Sequence, residues 1–405
     1  MYVPRRYDSV IKEHFTENRQ MLFLSGPRQV GKTSTSRTAP ASLGRIRYFN
    51  ADAPEVRRLF AAGAGEVARS AELDTARRRR PILVLDEIHK MPRWKNSLKG
   101  LFDTYGEQAG ILVTGSARLD IFRRGGDSLL GRFLPHRMHP FSVSELVRPN
   151  AHPDALILPP KKLDRDSFEA LARFGGFPEP LTRAEERFAR RWRRLRSERL
   201  LREDLRDLTR LQDIAQVEHL VNVVADRVGG TAPTAALATE VGASQDSIRR
   251  WLTALEHLYV LFSVRPWTRN VARSLRKAPK YYLWDWSSID DPGARAENMV
   301  AAALLKACHF WTDAGLGDFS MHYLRDKQKR EVDLIVARDR TPWFLVEVKQ
   351  GSGPRLSPSL AYFQRAVGAA HAFQVVMDAP YNSADSFKES RPVIVPAQTF
   401  LSQLV

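Results

Sequence analysis

Residues 26–33 have the sequence GPRQVGKT, and they follow directly on the apolar run MLFLS at residues 21–25. The apolar run has the length of a buried β-strand, and we predict that a helix begins at Lys32. A strand that runs into a glycine-rich loop and then a helix forms a cradle for phosphate, because backbone N–H groups and the helix N-terminus point at the anion. This stretch therefore predicts nucleotide binding on an α/β fold.

A second buried strand is expected at residues 81–87, PILVLDE, where an apolar run ends in two acids. This is the Walker B pattern. Asp86 at the end of the strand would complete a magnesium site together with Thr33, and Glu87 would polarise the water that attacks the γ-phosphate. Lys32 would reach the β- and γ-phosphates. The two motifs together predict hydrolysis of ATP with Mg²⁺ as a cofactor.

Two further strands complete the prediction of a doubly wound α/β sheet that binds its ligand at the carboxyl ends of the strands. Residues 45–49 supply a strand between the two motifs, and residues 111–116, ILVTGS, supply one that ends in small hydroxyl residues. The latter would place Thr114 or Ser116 near the γ-phosphate as a sensor. The predicted nucleotide-binding residues are Gly26, Gly31, Lys32, Thr33, Ser34, Asp86 and Ser116.

An arginine donated by a neighbouring subunit can stabilise the charge on the transferred phosphate. Arg132, in the segment LLGRF at residues 129–133, is our first candidate for this catalytic role. Arg118, Arg123 and Arg124 are rivals, and a solvated arginine is the alternative for each of them. An arginine acting in this way implies a homo-oligomer, such as a hexamer.

The motifs GPRQVGKTS, LDEIHKMP, TGSA, LLGRF and GGFPEP occur in this order along the chain. Together they resemble a family of prokaryotic AAA-type ATPases that carries a domain of uncharacterised function at its C-terminus. The resemblance covers nearly the whole chain, and it implies a P-loop AAA-type ATPase sheet with Glu87 as the catalytic glutamate. It also implies a C-terminal domain with a PD-(D/E)XK nuclease-like fold.

The bulk properties of the chain suggest a soluble protein with a polyanionic partner. The chain has 405 residues, a net charge of +17 and a pI of about 10.2. This length predicts several domains, and the charge favours DNA as a partner. The single cysteine, Cys308, excludes a disulfide framework and fits a reducing cytosol. Because we find no apolar segment typical of a signal peptide or a membrane span, we expect a cytoplasmic protein without a membrane partner.

The middle of the chain is predicted to be helical. GGFPEP at residues 175–180 interrupts this region in the manner of an ATPase lid, although a plain turn between helices is the alternative. Residues 187–210 are rich in arginine, and they either follow a phosphate backbone or present a solvated face. The apolar spacing of this segment changes face near Ser197, which indicates a bend or burial on two sides.

Residues 216–285 are predicted to form a winged helix. Two short helices flank a turn at residues 241–243, and Ser244 is a good N-cap for the second helix. Residues 259–264 and 280–283 would form the hairpin. A helix-turn-helix with a basic wing is typical of a DNA reader, although winged helices also bind proteins. The predicted DNA contacts are Arg249, Arg250, Arg269 and Arg273.

The C-terminal segment carries two predicted strands with acids at fixed places. Asp333 lies on the strand EVDLIV, and Glu347 and Lys349 share one face of the strand WFLVEVK. With Glu297 on a preceding helix, these residues resemble the PD-(D/E)XK nuclease set, while Glu331 is treated as a flanking residue. The carboxylates would bind Mg²⁺ and Lys349 would assist the attacking water, unless the scaffold retains its polar residues without cleaving DNA.

These segments define four predicted domains. They are an ATPase core at 1–148, a helical lid at 149–215, a winged helix at 216–285 and a nuclease-like α/β domain at 286–405. We expect an ATP-hydrolysing motor or remodeller that acts on DNA, for example in the migration of Holliday junctions. An ATP-regulated, Mg²⁺-dependent DNA nuclease and a nucleotide-driven assembly or signalling switch are the alternatives.

Overall fold

The computed structural model describes residues 2–73, 80–115, 129–151, 154–205, 214–268, 277–351 and 355–405. These residues form two compact units. One comprises the chain up to residue 139 together with residues 148–153, and the other comprises residues 140–147 and the chain from residue 154 onward. The four predicted domains divide the chain at other boundaries, and they remain a prediction.

The first unit is built on a parallel sheet. Within its described residues the strands are β1 (Met21–Ser25), β2 (Ile46–Asn50), β3 (Ile82–Asp86), β4 (Gly110–Gly115) and β5 (Phe133–Arg137). Their order across the sheet is β2-β3-β4-β1-β5, and all the pairings are parallel. The helices are α1 (Arg6–Glu17), α2 (Lys32–Thr38), α3 (Pro54–Ala61), α4 (Ala64–Ser70) and α5 (Trp94–Tyr105).

The central strands of this sheet are apolar on both faces because both faces are covered. Every residue of β1, β3 and β4 is buried. On one face Phe23, Leu85 and Val113 pack in a core cluster with Leu98 of α5. Helix α2 contacts β3 and β4. The predicted parallel α/β sheet, the strands of both nucleotide motifs and the start of α2 at Lys32 are confirmed.

The second unit is built on a mixed sheet with the order β12-β11-β10-β9-β8-β6-β7. Its strands are β6 (Leu261–Pro266), β7 (Lys280–Leu283), β8 (Phe319–Arg325), β9 (Glu331–Arg338), β10 (Thr341–Lys349), β11 (His371–Val376) and β12 (Val393–Pro396). Its helices are α6 (Val143–Val147), α7 (Arg165–Phe174), α8 (Pro178–Arg183), α9 (Glu186–Arg199), α10 (Ile214–Ala225), α11 (Thr234–Val241), α12 (Gln245–His257), α13 (Pro292–Asp313), α14 (Pro358–Val367) and α15 (Ala397–Ser402). In the part of the chain that the structure describes, none of the helices has the length and hydropathy needed to span a bilayer.

The hairpin that the sequence predicts as a wing has a different place in the structure. Helices α11 and α12 form as expected, and the Ser244 side chain accepts a hydrogen bond from the Ser247 N–H at the start of α12. Strands β6 and β7 pair with each other, but β6 also pairs in parallel with β8, where Arg265 lies opposite His322. The hairpin is therefore an edge of the seven-stranded sheet. Alternating apolar residues predict a strand but do not reveal its partner.

The GGFPEP motif marks a point of close packing between segments. A Cβ on Gly175, whose φ is +79°, would lie 2.7 Å from Asp285 Oδ1, and one on Gly176 would lie 2.5 Å from the Phe141 carbonyl oxygen. Only glycine fits both positions without displacing its neighbours. The interruption of the helices here is confirmed, since α7 ends at Phe174 and α8 begins at Pro178.

The predicted change of face in the arginine-rich helix has a local cause. Helix α9 continues into a π-helical turn at Leu200–Asp204, which adds a residue to the turn and rotates the following side chains. Trp192 is buried before this turn and Leu201 is buried within it, whereas Leu195, which the sequence placed on the apolar face, is 49% exposed. The change of buried face therefore lies just beyond Ser197.

A buried ion pair provides a test of the second unit. Lys306 Nζ on α13 binds the carboxylate of Glu145 on α6, and it lies 3.0 Å from the Pro140 carbonyl oxygen. Lys306→Met removes the ammonium while the carboxylate stays buried, so we expect the free energy of unfolding to fall by about 3–5 kcal/mol in urea titrations. The double variant Lys306→Met/Glu145→Leu should recover most of this loss, and Lys162→Met, at an exposed lysine, should change little. A double variant no more stable than the single one would contradict the pairing.

Candidate functional site

The phosphate loop between β1 and α2 has the strained backbone that its glycines allow. Gly26 and Gly31 have φ angles of +152° and +104°, and Gln29 has a φ of +63°. A Cβ on Gly26 would lie 2.3 Å from the Met138 carbonyl oxygen, so only glycine lets the loop pass so close to the segment after β5. The loop therefore depends on glycine at this position for its shape.

Lys32 begins α2 and is buried at the mouth of this loop. Its Nζ donates hydrogen bonds to the carbonyl oxygens of Gly26, at 2.9 Å, and Pro27, at 2.7 Å. The ammonium of Lys32 is thus held in place by backbone carbonyl groups of the phosphate loop. The neighbouring Thr33 and Ser34 are exposed on the first turn of α2.

The carboxylate of Asp86, at the end of β3, is the centre of the site. It accepts hydrogen bonds from Thr33 Oγ1 at 2.9 Å, from the Tyr48 hydroxyl at 2.5 Å and from Thr114 Oγ1 at 2.5 Å. The parallel register places Thr114 opposite Asp86 on β4. The structure thus brings together Thr33, Asp86 and Thr114, whereas Ser116 lies outside the described residues.

Tyr48 is a site residue that sequence reasoning missed. Burial, followed by the hydrogen bond to Asp86, raises the pKa of Tyr48 above its ordinary value, so the phenol stays protonated and can donate. The guanidinium of Arg37 lies 3.8 Å from the centre of its ring. The only sequence signal was a tyrosine near the carboxyl end of a predicted strand, and the sequence did not indicate which acid it would bind.

The donor set at Asp86 fits a magnesium ion. Magnesium prefers hard oxygen ligands and keeps several waters, so a threonine hydroxyl and one carboxylate are sufficient protein ligands. Thr33 Oγ1 and Asp86 Oδ2 are already adjacent at the start of α2. When bound with ATP, the ion would offset the negative charge that develops on the phosphates.

Glu87 follows Asp86 with a left-handed backbone, at φ +56°. Its Oε2 lies 3.4 Å from Lys90 Nζ and 3.6 Å from His89 Nε2, and its side chain is 19% exposed. Lys90 also binds both carboxylate oxygens of Asp52, at 2.7 and 2.9 Å. The predicted catalytic glutamate is thus part of a small charged network at the edge of the site.

Arg132 is held within its own chain. Its Nε and Nη2 bind the two carboxylate oxygens of Asp103 at 2.7 and 3.0 Å. These hydrogen bonds lower the pKa of Asp103 below its ordinary value. The rival arginines Arg118, Arg123 and Arg124 lie outside the described residues.

The predicted C-terminal residues do meet in space. Asp333 Oδ2 accepts a hydrogen bond from the Val348 N–H at 2.8 Å, and Lys349 Nζ donates to Glu347 Oε1 at 2.9 Å. Glu297 Oε1 accepts a hydrogen bond from the Tyr282 hydroxyl at 2.7 Å. Burial, followed by the charge of Glu297, raises the pKa of Asp333 to about 6.

Lys280, which the sequence analysis did not single out, lies among these acids. Its Nζ is 2.6 Å from Glu331 Oε1, 3.5 Å from Glu297 Oε1 and 3.8 Å from Asp333 Oδ1. Glu331, treated as a flanking residue, makes the shortest of these contacts. Within the described ranges no three His, Cys, Asp or Glu side chains are arranged to hold a metal ion. The predicted Mg²⁺ set of Glu297, Asp333 and Glu347 stays a prediction.

The predicted DNA-binding arginines are only partly within the described residues. Arg249 and Arg250 are exposed on α12. Arg249 Nη1 binds Asp246 Oδ1 at 2.6 Å, and Arg250 Nη2 lies 3.3 Å from Ser247 Oγ. Arg269 and Arg273 belong to the segment that the structure does not describe.

Comparison with known proteins supports the assignment of the first unit. Residues 18–147 match the family model of an AAA domain, and residues 165–288 and 292–399 match two domains of unknown function, DUF8612 and DUF4143. Uncharacterized proteins from Mycobacterium bovis and Mycobacterium tuberculosis are each 26% identical over 367 residues, which is 89% of this chain and 77% of theirs. Together with the site at Asp86, the AAA match supports an AAA-type ATPase domain at residues 18–147.

The close approach at Gly26 generates a prediction about nucleotide affinity. Gly26→Ala would push the loop away from Met138 and distort the phosphate cradle. We therefore expect the affinity for a fluorescent ATP analogue to fall at least about tenfold, which corresponds to a loss of about 1.4 kcal/mol in binding free energy. Gly100→Ala on α5 is the matched control, because a Cβ there meets nothing within 4 Å. Alanine should favour that helix by about 0.5–1 kcal/mol and leave affinity unchanged. Equal affinity of the two variants would contradict this account of the loop.

Proposed function

We propose that this chain is a Mg²⁺-dependent ATPase that uses hydrolysis to act on DNA. The observation that carries the ATPase half is the convergence of Thr33 and Thr114 on the carboxylate of Asp86. Lys32 precedes Thr33 in the chain and Glu87 follows Asp86. The proposed site therefore has a phosphate-binding lysine next to one magnesium ligand, and a candidate general base next to the other. All of them lie at the carboxyl ends of the strands of a parallel sheet.

Binding of ATP would change the partners of Lys32. Its ammonium would exchange the carbonyl oxygens of Gly26 and Pro27 for oxygens of the β- and γ-phosphates, which accept stronger, charge-assisted hydrogen bonds. The N–H groups of the loop and of the first turn of α2 would face the same phosphates. Thr33 and Asp86 would hold the Mg²⁺ that accompanies the nucleotide.

Hydrolysis would require Glu87 to orient the attacking water. Glu87 would exchange its contact with Lys90 for that water, and Lys90 would remain bound to Asp52. Tyr48 and Thr114 would keep the carboxylate of Asp86 in place during this change. Preorganised groups of this kind lower the barrier because they need little rearrangement in the transition state.

We further propose that hydrolysis occurs between subunits of a homo-oligomer. Arg132 is partly exposed and pairs with Asp103 at the surface. An exposed ion pair contributes little to stability because water screens it, so a phosphate on a neighbouring subunit would compete well for this arginine. Transfer of Arg132 from Asp103 to the partner's γ-phosphate would then complete the active site.

The DNA half of the proposal is supported by charge and by the form of the second unit. The chain has a net charge of +17, and Arg249 and Arg250 are exposed on the second helix of a helix-turn-helix. The order α13-β8-β9-β10-α14-β11, with Asp333 on β9 and Lys349 on β10, supports a PD-(D/E)XK nuclease-like fold for the C-terminal domain. We propose that this domain and the helix-turn-helix contact DNA, with branched DNA such as a four-way junction as a favoured substrate.

The first test of this proposal is the response of ATP hydrolysis to DNA. We expect phosphate release to be stimulated by DNA and to be lost in Lys32→Ala. Glu87→Gln should still bind ATP but hydrolyse it on the order of 100-fold more slowly, since it removes the candidate general base. Lys12→Ala, at an exposed lysine of α1, is the control. A nucleotide-driven switch would be favoured instead if single-stranded, duplex and four-way DNA all left the rate of hydrolysis unchanged and the protein assembled into oligomers on addition of ATP.

The second test concerns the helix-turn-helix. Arg249→Ala/Arg250→Ala should weaken binding to labelled DNA, and the slope of log affinity against log salt should fall by about 0.9 for each phosphate that α12 no longer neutralises. Lys162→Ala/Arg165→Ala removes the same charge from exposed positions near the start of α7 and serves as the matched control. If both double variants weaken DNA binding equally, the effect comes from net charge and not from α12.

A further inference from the structure

The carboxylate centre of the second unit is built around a lysine. Lys280, the first residue of β7, is 0% exposed, and three carboxylates lie within 4.0 Å of its Nζ. These acids come from two other elements, since Glu297 is on α13 and both Glu331 and Asp333 are on β9. The ring of Tyr323 lies beneath the ammonium, with its centre 5.6 Å away.

The ammonium is charged in this environment. The carboxylate of Glu331 lies 2.6 Å from Nζ, and those of Glu297 and Asp333 lie 3.5 and 3.8 Å away. A buried cation needs such acids because the loss of hydration is otherwise very costly. The acids in turn need the cation, because like charges that share a buried site repel one another.

We infer that Lys280 is the resident cation of this centre and takes the place that a divalent metal would need. Magnesium requires oxygen ligands at about 2.0–2.1 Å in near-octahedral geometry. The oxygens of Glu297, Glu331 and Asp333 instead surround an ammonium 2.6–3.8 Å away. A divalent ion among them would meet both the volume and the positive charge of Lys280.

This arrangement has a consequence for nucleic-acid chemistry. Hydrolysis of a phosphodiester at a carboxylate centre relies on a divalent ion to activate water and to offset phosphate charge. With Lys280 in place the native centre takes no such ion, so it can contact DNA but does not cut it. The ATPase site at Asp86 is separate and keeps its own Mg²⁺.

Removal of the lysine should create a metal site. In Lys280→Met the acids lose their cation but keep their positions on α13 and β9. Glu347 Oε2 is buried and has no hydrogen-bond partner among the described residues. This oxygen and Asp333 Oδ1 would then be available to a divalent ion.

The experiment measures Mn²⁺ binding to the full chain by electron paramagnetic resonance and calorimetry. All variants carry Asp86→Asn, which removes the metal site of the ATPase. In this background we expect no Mn²⁺ binding with Lys280 or with Lys280→Arg, and stoichiometric binding with Lys280→Met. Adding Asp333→Asn to Lys280→Met should weaken that binding about tenfold or more. Lys349→Met is the matched control, because it removes the other lysine of the centre and leaves Lys280 in place.

Two results would overturn the inference. One is stoichiometric Mn²⁺ binding in the Asp86→Asn background that is abolished by Asp333→Asn, because the native centre would then be a metal site. The other is a folded Lys280→Met variant that binds no Mn²⁺. Should Lys280→Met fail to fold, Lys280→Met/Glu331→Gln reduces the negative charge and gives the same two readings. A failure of DNA stimulation in the ATPase assay would leave these metal measurements unaffected.

Discussion

Three hydroxyl groups that converge on one buried carboxylate hold the ATPase site together. Thr33, Tyr48 and Thr114 come from α2, β2 and β4, and all donate to Asp86 on β3. A buried carboxylate requires such donors because an unsatisfied charge in a low dielectric is very costly. The place of the carboxylate therefore depends on two strand pairings and on the start of a helix. The proposed magnesium ligands Thr33 and Asp86 are thereby in contact, and Glu87 follows Asp86 in the chain.

The parts of the site that the sequence predicts most directly are those in which neighbours in the chain are also neighbours in space. The loop around Lys32 and the pair of acids at Asp86 are of this kind, since a strand, a loop and a helix follow one another directly. Tyr48 and Lys280 were missed because their partners lie on elements remote in sequence. The two strands of the hairpin formed close to their predicted residues for the same local reason, but alternating apolar residues do not indicate that β6 also pairs with β8, which is remote in sequence.

Buried lysines are used in three ways in this chain. Lys32 is neutralised by carbonyl dipoles of its own loop, which are weak enough to be exchanged for phosphate. Lys306 binds the carboxylate of Glu145 and a carbonyl oxygen, and it joins two helices of the second unit. Lys280 is surrounded by several acids. The number and charge of the partners thus distinguish a lysine that can release its contacts from one that is fixed in place.

The pairing of β6 with β8 sets the distance across the second sheet between the strand that follows α12 and the strand that carries Asp333. Helix α12 leads into β6 through the short segment 258–260, and β8 separates β6 from β9, the strand that carries Asp333. Adjacent strands are spaced by about 4.8 Å, so two steps across the sheet correspond to roughly 10 Å. A nucleic acid bound to α12, as we propose, would lie at a distance from the carboxylate centre that depends on this strand spacing. A change in that distance would require the pairing of β6 with β8 or of β8 with β9 to break.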